Sequence, residues 1–119
     1  MKSVGDRYED FAVQYLTERE VKILDRNFRT RSGEIDIIGE KKGRVYFFEV
    51  RYRSRNSIQS ATESISGLKL SRLWSTISVW LNQSKYDESS VGGVYAFLID
   101  GVGGSQQSKN IVKIVEIGV

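Results

Sequence analysis

Two stretches of the chain carry apolar side chains three or four positions apart, the spacing that places them on one face of a helix. The first predicts a helix over residues 4–19 and the second a helix over residues 66–83. The apolar positions are Tyr8, Phe11, Ala12, Tyr15 and Leu16 in the first, and Leu70, Leu73, Trp74, Ile77 and Leu81 in the second.

Other segments alternate apolar and polar residues, or are rich in Val, Ile, Phe and Tyr, and these patterns predict strands. A tight turn is indicated at 40–43, which ends in glycine, and loops are expected at 53–64 and 100–110. The order helix, three strands, helix, two strands predicts an α/β fold with a mixed sheet, in one domain spanning 1–119. The five predicted strands are 21–27, 34–39, 44–52, 94–99 and 111–117.

The composition narrows the chemistry available to this fold. The chain has no cysteine and no histidine, which excludes disulfides, thiolate zinc sites, cysteine nucleophiles and serine–histidine–aspartate triads. Carboxylates, amines, hydroxyls and a hard metal ion remain. No apolar run reaches membrane-spanning length and the first residues lack the apolar core of a signal peptide, so a cytoplasmic location is expected.

Charge is unevenly distributed along the sequence. The span from Lys22 to Arg72 holds 12 of the 18 basic residues and six of the 15 acidic ones, a net charge of +6, while the two ends together carry −3. A basic centre suggests a polyanionic partner. An ordinary solvated surface explains the charge alone equally well.

The turn at 40–43 sets the pairing of the two strands around it. With Lys42-Gly43 as a two-residue turn, Asp36 lies opposite Glu49 and Glu34 lies opposite Arg51, all on one face of the sheet. Opposed carboxylates repel, so a hard cation such as Mg²⁺ or Mn²⁺ is one way to stabilise the pair. Neutralisation by Arg51 and other basic side chains, with no metal, is the alternative. A three-residue loop would shift the register and weaken the idea.

Several charged residues near this pair have two interpretations. Glu9 lies in the first helix, where a solvated face is the simpler reading. Lys69 borders the apolar stripe of the second helix, so its amine either extends to water or reaches over the sheet to the carboxylates. Arg53 and Arg55 follow the third strand directly and are either loop charges or contacts to phosphate.

At these residues the sequence resembles a known family. Gly33 to Ile38 (GEIDII), followed by Phe47 to Arg53 (FFEVRYR), is similar to the GEID…EVK-x-R pattern of the YraN-like bacterial proteins, and Glu9, Tyr15-Leu16 and Arg26 to Arg29 (RNFR) fit the family's opening segment. The resemblance covers about residues 5–82, and the last third of the chain fits poorly.

The family is placed in the restriction-endonuclease-like superfamily, whose signature is Asp…Glu-x-Lys. The resemblance implies a metal-dependent, structure-selective endonuclease in which Asp36, Glu49 and the Val50 carbonyl bind Mg²⁺ or Mn²⁺ and Glu9 approaches the ion. DNA is the expected partner, with Arg29, Arg31, Arg53 and Arg55 as candidate phosphate contacts. Resolvase-like relatives suggest, by analogy, a homodimer.

One departure from the signature affects the expected activity. The position of the lysine holds Arg51, which offers charge and bidentate phosphate contacts but cannot accept a proton near neutral pH. Lys69 is the candidate for the missing amine, so the predicted catalytic set is Asp36, Glu49, Arg51 and Lys69. A nucleic-acid-binding module without catalysis and a non-enzymatic interaction domain are the alternative functions.

Overall fold

The computed structural model describes residues 4–53, 67–102 and 109–118, and these form a five-stranded mixed sheet with a helix on each face. The predicted fold class and element order are confirmed. The elements are α1 (Val4–Glu18), β1 (Lys22–Arg29), β2 (Glu34–Lys41), β3 (Arg44–Arg53), α2 (Gly67–Gln83), a short 3-10 helix (Glu88–Ser90), β4 (Val91–Val102) and β5 (Lys109–Gly118).

The strands lie in the sheet in the same order as in the chain. The β1–β2, β2–β3 and β4–β5 pairs are antiparallel, whereas β3 and β4 are parallel. A parallel pair needs a crossover connection, and α2 lies in the connection between β3 and β4. The central strand β3 is covered on both faces, which explains its nearly continuous run of apolar residues.

Each face of the sheet has its own core. Ala12 and Leu16 of α1 pack with Ile37, Phe48 and the aliphatic and aromatic side chains around them. On the other face, α2 residues including Leu73 and Ile77 pack against a second set, and the Phe47 and Trp80 rings meet edge to face with centroids 5.7 Å apart. Neighbouring residues of β3, Phe47 and Phe48, therefore point to opposite cores.

None of the helices in the described residues is long and apolar enough to cross a membrane. The predicted loop at 53–64 lies almost wholly outside the described residues, and so does the middle of the predicted loop at 100–110.

Candidate metal and nucleic-acid site

The β2–β3 hairpin has the predicted two-residue turn. Lys42 and Gly43 both have positive φ, 52° and 81°, as a type I′ turn requires. The strand pairs run from Lys41 opposite Arg44 to Ile37 opposite Phe48, which is the predicted register. Asp36 and Glu49 are the next residues on the two strands.

Beyond the Ile37–Phe48 pair, the side chain of Asp36 accepts a hydrogen bond that a backbone carbonyl of β2 would accept in a regular ladder. The Val50 N–H donates to Oδ2 of Asp36 over 2.7 Å. In an antiparallel ladder, the N–H and C=O of one residue point toward the same neighbouring strand. We therefore expect the Val50 carbonyl to face the same side as its N–H, toward Asp36.

The side-chain alternation of β1 and β2 breaks at the site. Ile35 packs in the α2 core although Ile37, two positions later, packs in the α1 core. The neighbouring strand β1 also switches faces at this level, since Arg26 contacts α1 while Phe28 packs in the α2 core. Asn27 between them has a φ of 53°. Asn27 and Asp36 are the pair skipped between Arg26–Ile37 and Phe28–Ile35 in the register. Asp36 thus lies where the strand rotates from one face of the sheet to the other.

This break changes the expected surroundings of Glu34. The sequence placed Glu34 opposite Arg51, but that pair is not among the described pairs of β2 and β3. Glu34 instead pairs with Arg29 of β1, with Nη2 of Arg29 3.1 Å from Oε2 of Glu34. The register alone could not reveal this, because it assumed unbroken alternation.

Glu49 faces α2 and is held by two cations. Nζ of Lys69 lies 2.8 Å from Oε1 of Glu49, and Nη2 of Arg51 lies 3.5 Å from the same oxygen. The Glu49 side chain is only 12% exposed, so these contacts act where solvent screening is weak. The amine of Lys69 contacts a carboxylate of the pair, which was one of its two predicted positions. Its catalytic role stays a prediction.

Asp36 is a half-buried carboxyl, and within the described part of the chain it forms no salt bridge to a lysine or arginine. Burial first, and then the negative charge of Glu49, raise its pKa to about 7, against the lowering effect of the Val50 N–H. Glu9 and Glu34 raise the pKa of Asp36 further. Three other carboxylates therefore make the electrostatic potential at Asp36 negative, which is typical of a place that attracts a positive ion.

Glu9 approaches the same region from α1. Its Oε1 is buried with no hydrogen-bond partner and lies 4.0 Å from Nη2 of Arg26. Burial raises the pKa of Glu9, and the charge of Arg26 and a hydrogen bond with Asn27 partly offset this rise. Arg26 and Asn27 were not recognised as site residues from the sequence. The one signal that the sequence offered at position 27 is the asparagine itself, since Asn tolerates a left-handed backbone better than most residues.

Both carboxylates and Glu9 open onto one cleft of about 240 Å³. Within the described ranges, no three acidic side chains lie close enough to hold a metal ion as a group. An ion here would rely on Asp36 and Glu49, and Glu9 would act through water. The cleft is lined by Tyr8, Glu9, Asp36, Glu49, Val50, Arg51 and Tyr52.

The predicted phosphate contacts are distributed around the site. Arg29 is 74% exposed and pairs with Glu34. Arg31 is exposed in the β1–β2 loop, which the Thr30–Thr76 hydroxyl contact of 3.3 Å joins to α2. The backbone of Arg53 pairs with Asp100, but its side chain and the whole of Arg55 lie outside the described residues.

The mixed sheet, with a carboxylate pair at a break between two of its strands, is consistent with the restriction-endonuclease-like superfamily. The chain belongs to the uncharacterised protein family UPF0102, the family of the YraN-like proteins, whose profile matches residues 8–101. The predicted family is therefore confirmed, and the whole of β5 lies beyond the matched segment.

Similar curated proteins come from several bacteria. A UPF0102 protein of Vibrio campbellii is 39% identical over 84 residues, which is 71% of this chain and 69% of that protein. A UPF0102 protein of Fusobacterium nucleatum is 32% identical over 90 residues, 76% of each chain. These descriptions give a family and no activity.

Proposed function

We propose that the protein is a divalent-metal-dependent endonuclease that hydrolyses phosphodiester bonds of nucleic acid, with DNA of the bacterial cytoplasm as its substrate. The observation that supports this most strongly is that Asp36 and Glu49 line one cleft, with the amine of Lys69 on Glu49 and the Val50 N–H on Asp36.

The donors fit a hard cation. Mg²⁺ and Mn²⁺ prefer oxygen ligands and commonly bind through one or two carboxylates, with water and substrate phosphate completing the shell. Asp36, Glu49 and the Val50 carbonyl would hold the ion, and the buried Oε1 of Glu9 would accept a hydrogen bond from one of its waters. When bound, such an ion lowers the pKa of a water and polarises a phosphoryl oxygen.

We infer that Arg51 and Lys69 together supply what the signature lysine supplies in the superfamily. The guanidinium of Arg51 offers a fork of N–H donors that can bind phosphate, but it has no atom that accepts a hydrogen bond or a proton. Lys69 brings an amine to the same Glu49 oxygen from α2. We infer that Lys69 orients the attacking water and balances charge that develops on the phosphate, while Arg51 positions the phosphate.

Cleavage of labelled branched, single-stranded and duplex DNA with Mn²⁺ tests the activity. Asp36→Asn should abolish cleavage, since the neutral amide is a poor ligand for a hard cation. Lys69→Ala should lower the rate at saturating DNA, and Lys22→Ala, which changes an exposed lysine of β1, serves as the matched control. Full activity of Asp36→Asn would contradict the proposal.

A rescue variant isolates the role of Lys69. If its amine replaces the signature lysine, adding Arg51→Lys to Lys69→Ala should restore part of the lost rate. Lys69→Ala cleaving as fast as Lys22→Ala would show that the amine has no such role.

Metal binding is measured without any reaction. Mn²⁺ should raise the Tm of the wild type progressively as its concentration increases above the Kd, and it should not raise the Tm of Asp36→Asn. Equal shifts in both proteins would mean that the ion binds elsewhere.

A second candidate is a nucleic-acid-binding module of the same fold without catalysis. Arg51 at the lysine position and the ion pair of Lys69 with Glu49 favour it, because the charge of Glu49 is balanced with no metal. It predicts salt-sensitive binding that survives Asp36→Asn, together with no cleavage by the wild type.

A further inference from the structure

Two tyrosines stack at the wall of the carboxylate cleft. The rings of Tyr8, on α1, and Tyr52, near the end of β3, have centroids 3.9 Å apart and planes 12° from parallel. Both line the cleft that contains Glu9, Asp36 and Glu49. A hydrogen bond to Tyr52 and burial raise the pKa of Tyr8 to about 12, so Tyr8 is neutral under physiological conditions.

Tyr52 is much more exposed to solvent than the phenylalanines of the two central strands. Its exposed fraction is 42%, whereas Phe47 and Phe97 on the same two central strands are fully buried. Tyr8 covers one ring face of Tyr52. The exposed area therefore lies on the remaining parts of Tyr52, which lines the charged cleft.

The two walls of the cleft differ in chemistry. Val50 packs in the α1 core, so Tyr52, two positions later, points to the α1 side, where it meets Tyr8. Glu49 and Arg51 point to the α2 side, where Lys69 contacts Glu49. Along β3, Tyr52 follows Glu49 by three residues, roughly 10 Å of strand. A phosphate beside the cations would place its neighbouring base near the aromatic wall.

We propose that Tyr52, supported by Tyr8, is a platform on which an unpaired nucleobase stacks next to the scissile phosphate. This inference rests on the proposed action on nucleic acid and specifies the substrate. In a continuous duplex both faces of each base are covered by neighbouring bases, so only a single-stranded or extruded nucleotide offers a free face. The site therefore selects nucleic acid with an unpaired segment at the cleft.

Binding without metal tests the platform separately from cleavage. The Kd for a fluorescein-labelled oligothymidylate and for a blunt duplex of equal length would be measured by anisotropy, in EDTA at one fixed salt concentration. Stacking of one base on an aromatic side chain predicts that Tyr52→Ala weakens single-strand binding by roughly 5- to 150-fold. Tyr52→Phe, which keeps the ring, should bind within a few-fold of wild type, and duplex binding should change little in either variant.

A measurement on the unaltered protein covers the case in which Tyr52→Ala fails to fold. Oligothymidylate containing 5-iodouracil, irradiated in complex with the wild type, should crosslink to Tyr52 in peptide mass spectra, since photocrosslinking requires a close aromatic contact.

Crosslinks confined to residues outside the cleft would overturn the platform. Equal loss of single-strand and duplex affinity in a folded Tyr52→Ala would also overturn it. Neither result would affect Asp36-dependent cleavage, whereas a wild type that neither binds nor cleaves any nucleic acid would overturn the proposed function itself.

Discussion

The raised pKa of the half-buried Asp36 carboxyl leads to a prediction about how stability depends on pH. The pKa of this carboxyl is raised from 3.8 to about 7. Between these two values the folded protein holds a proton that the unfolded chain has released, so the free energy of unfolding falls as the pH rises through this window. Stability from this group is complete below the unfolded pKa and is lost above the folded one.

Replacement of Asp36 by asparagine removes the charge and keeps an oxygen that can accept the Val50 N–H. The shift spans about three pKa units, and each unit corresponds to about 1.4 kcal/mol, which gives an upper bound of about 4 kcal/mol. We therefore expect metal-free Asp36→Asn to be more stable than wild type by about 2–4 kcal/mol near pH 8, and equally stable near pH 3.5.

Urea denaturation in EDTA across this pH range is the assay, because the chelator removes ions that would stabilise the wild type. Asp87→Asn is the control of opposite sign. Hydrogen bonds from Ser89 lower the pKa of Asp87, so its substitution should destabilise the protein at neutral pH and have less effect in acid. A less stable Asp36→Asn near pH 8, or a gain that does not vary with pH, would refute the reasoning.

Three smaller perturbations test other parts of the structure. Gly43→Ala should cost about 1–2 kcal/mol in urea denaturation, because φ is 81° although the added Cβ meets no neighbour; an unchanged midpoint would contradict the type I′ turn. Arg31→Ala should lower the slope of log K against log salt for DNA binding by about one, and an unchanged slope would remove Arg31 from the interface. Thr76→Val should lower the free energy of unfolding by about 1 kcal/mol, since it deletes a hydroxyl that contacts Thr30 and donates to the Arg72 carbonyl. An unchanged free energy of unfolding would show that these hydrogen bonds do not stabilise the fold.

Periodicity located the elements because each has a buried face of regular spacing. Both helices end within one residue of their predicted bounds. β4 is the largest departure, since it extends from Val91 to Val102 and not only over 94–99. The extensions contain Gly92, Gly93 and Gly101, which carry no hydrophobic signal. Gly93 is strand because it pairs with β3 and Gly101 because it pairs with β5, while Gly92 lies at the register shift between the Val91 and Gly93 pairs.

The register of one hairpin was enough to bring Asp36 and Glu49 together, because turn geometry is local. Tyr8, Asn27 and Tyr52 escaped prediction for a different reason. Their place in the site depends on how α1 packs against the sheet and on the left-handed backbone at Asn27. Neither is visible in a pattern that assumes regular alternation.

The break at Asp36 also explains why two helices can serve one site. In an unbroken hairpin, Asp36 would lie on the same face as Glu49, and only the helix on that face could reach both. Because the strand rotates at Asp36, its carboxylate is approached by Glu9 from α1, while Glu49 faces α2. An amine directed at Glu49 must then come either from β3 itself or from α2. With arginine at position 51, Lys69 of α2 is the amine that the described structure brings to this carboxylate.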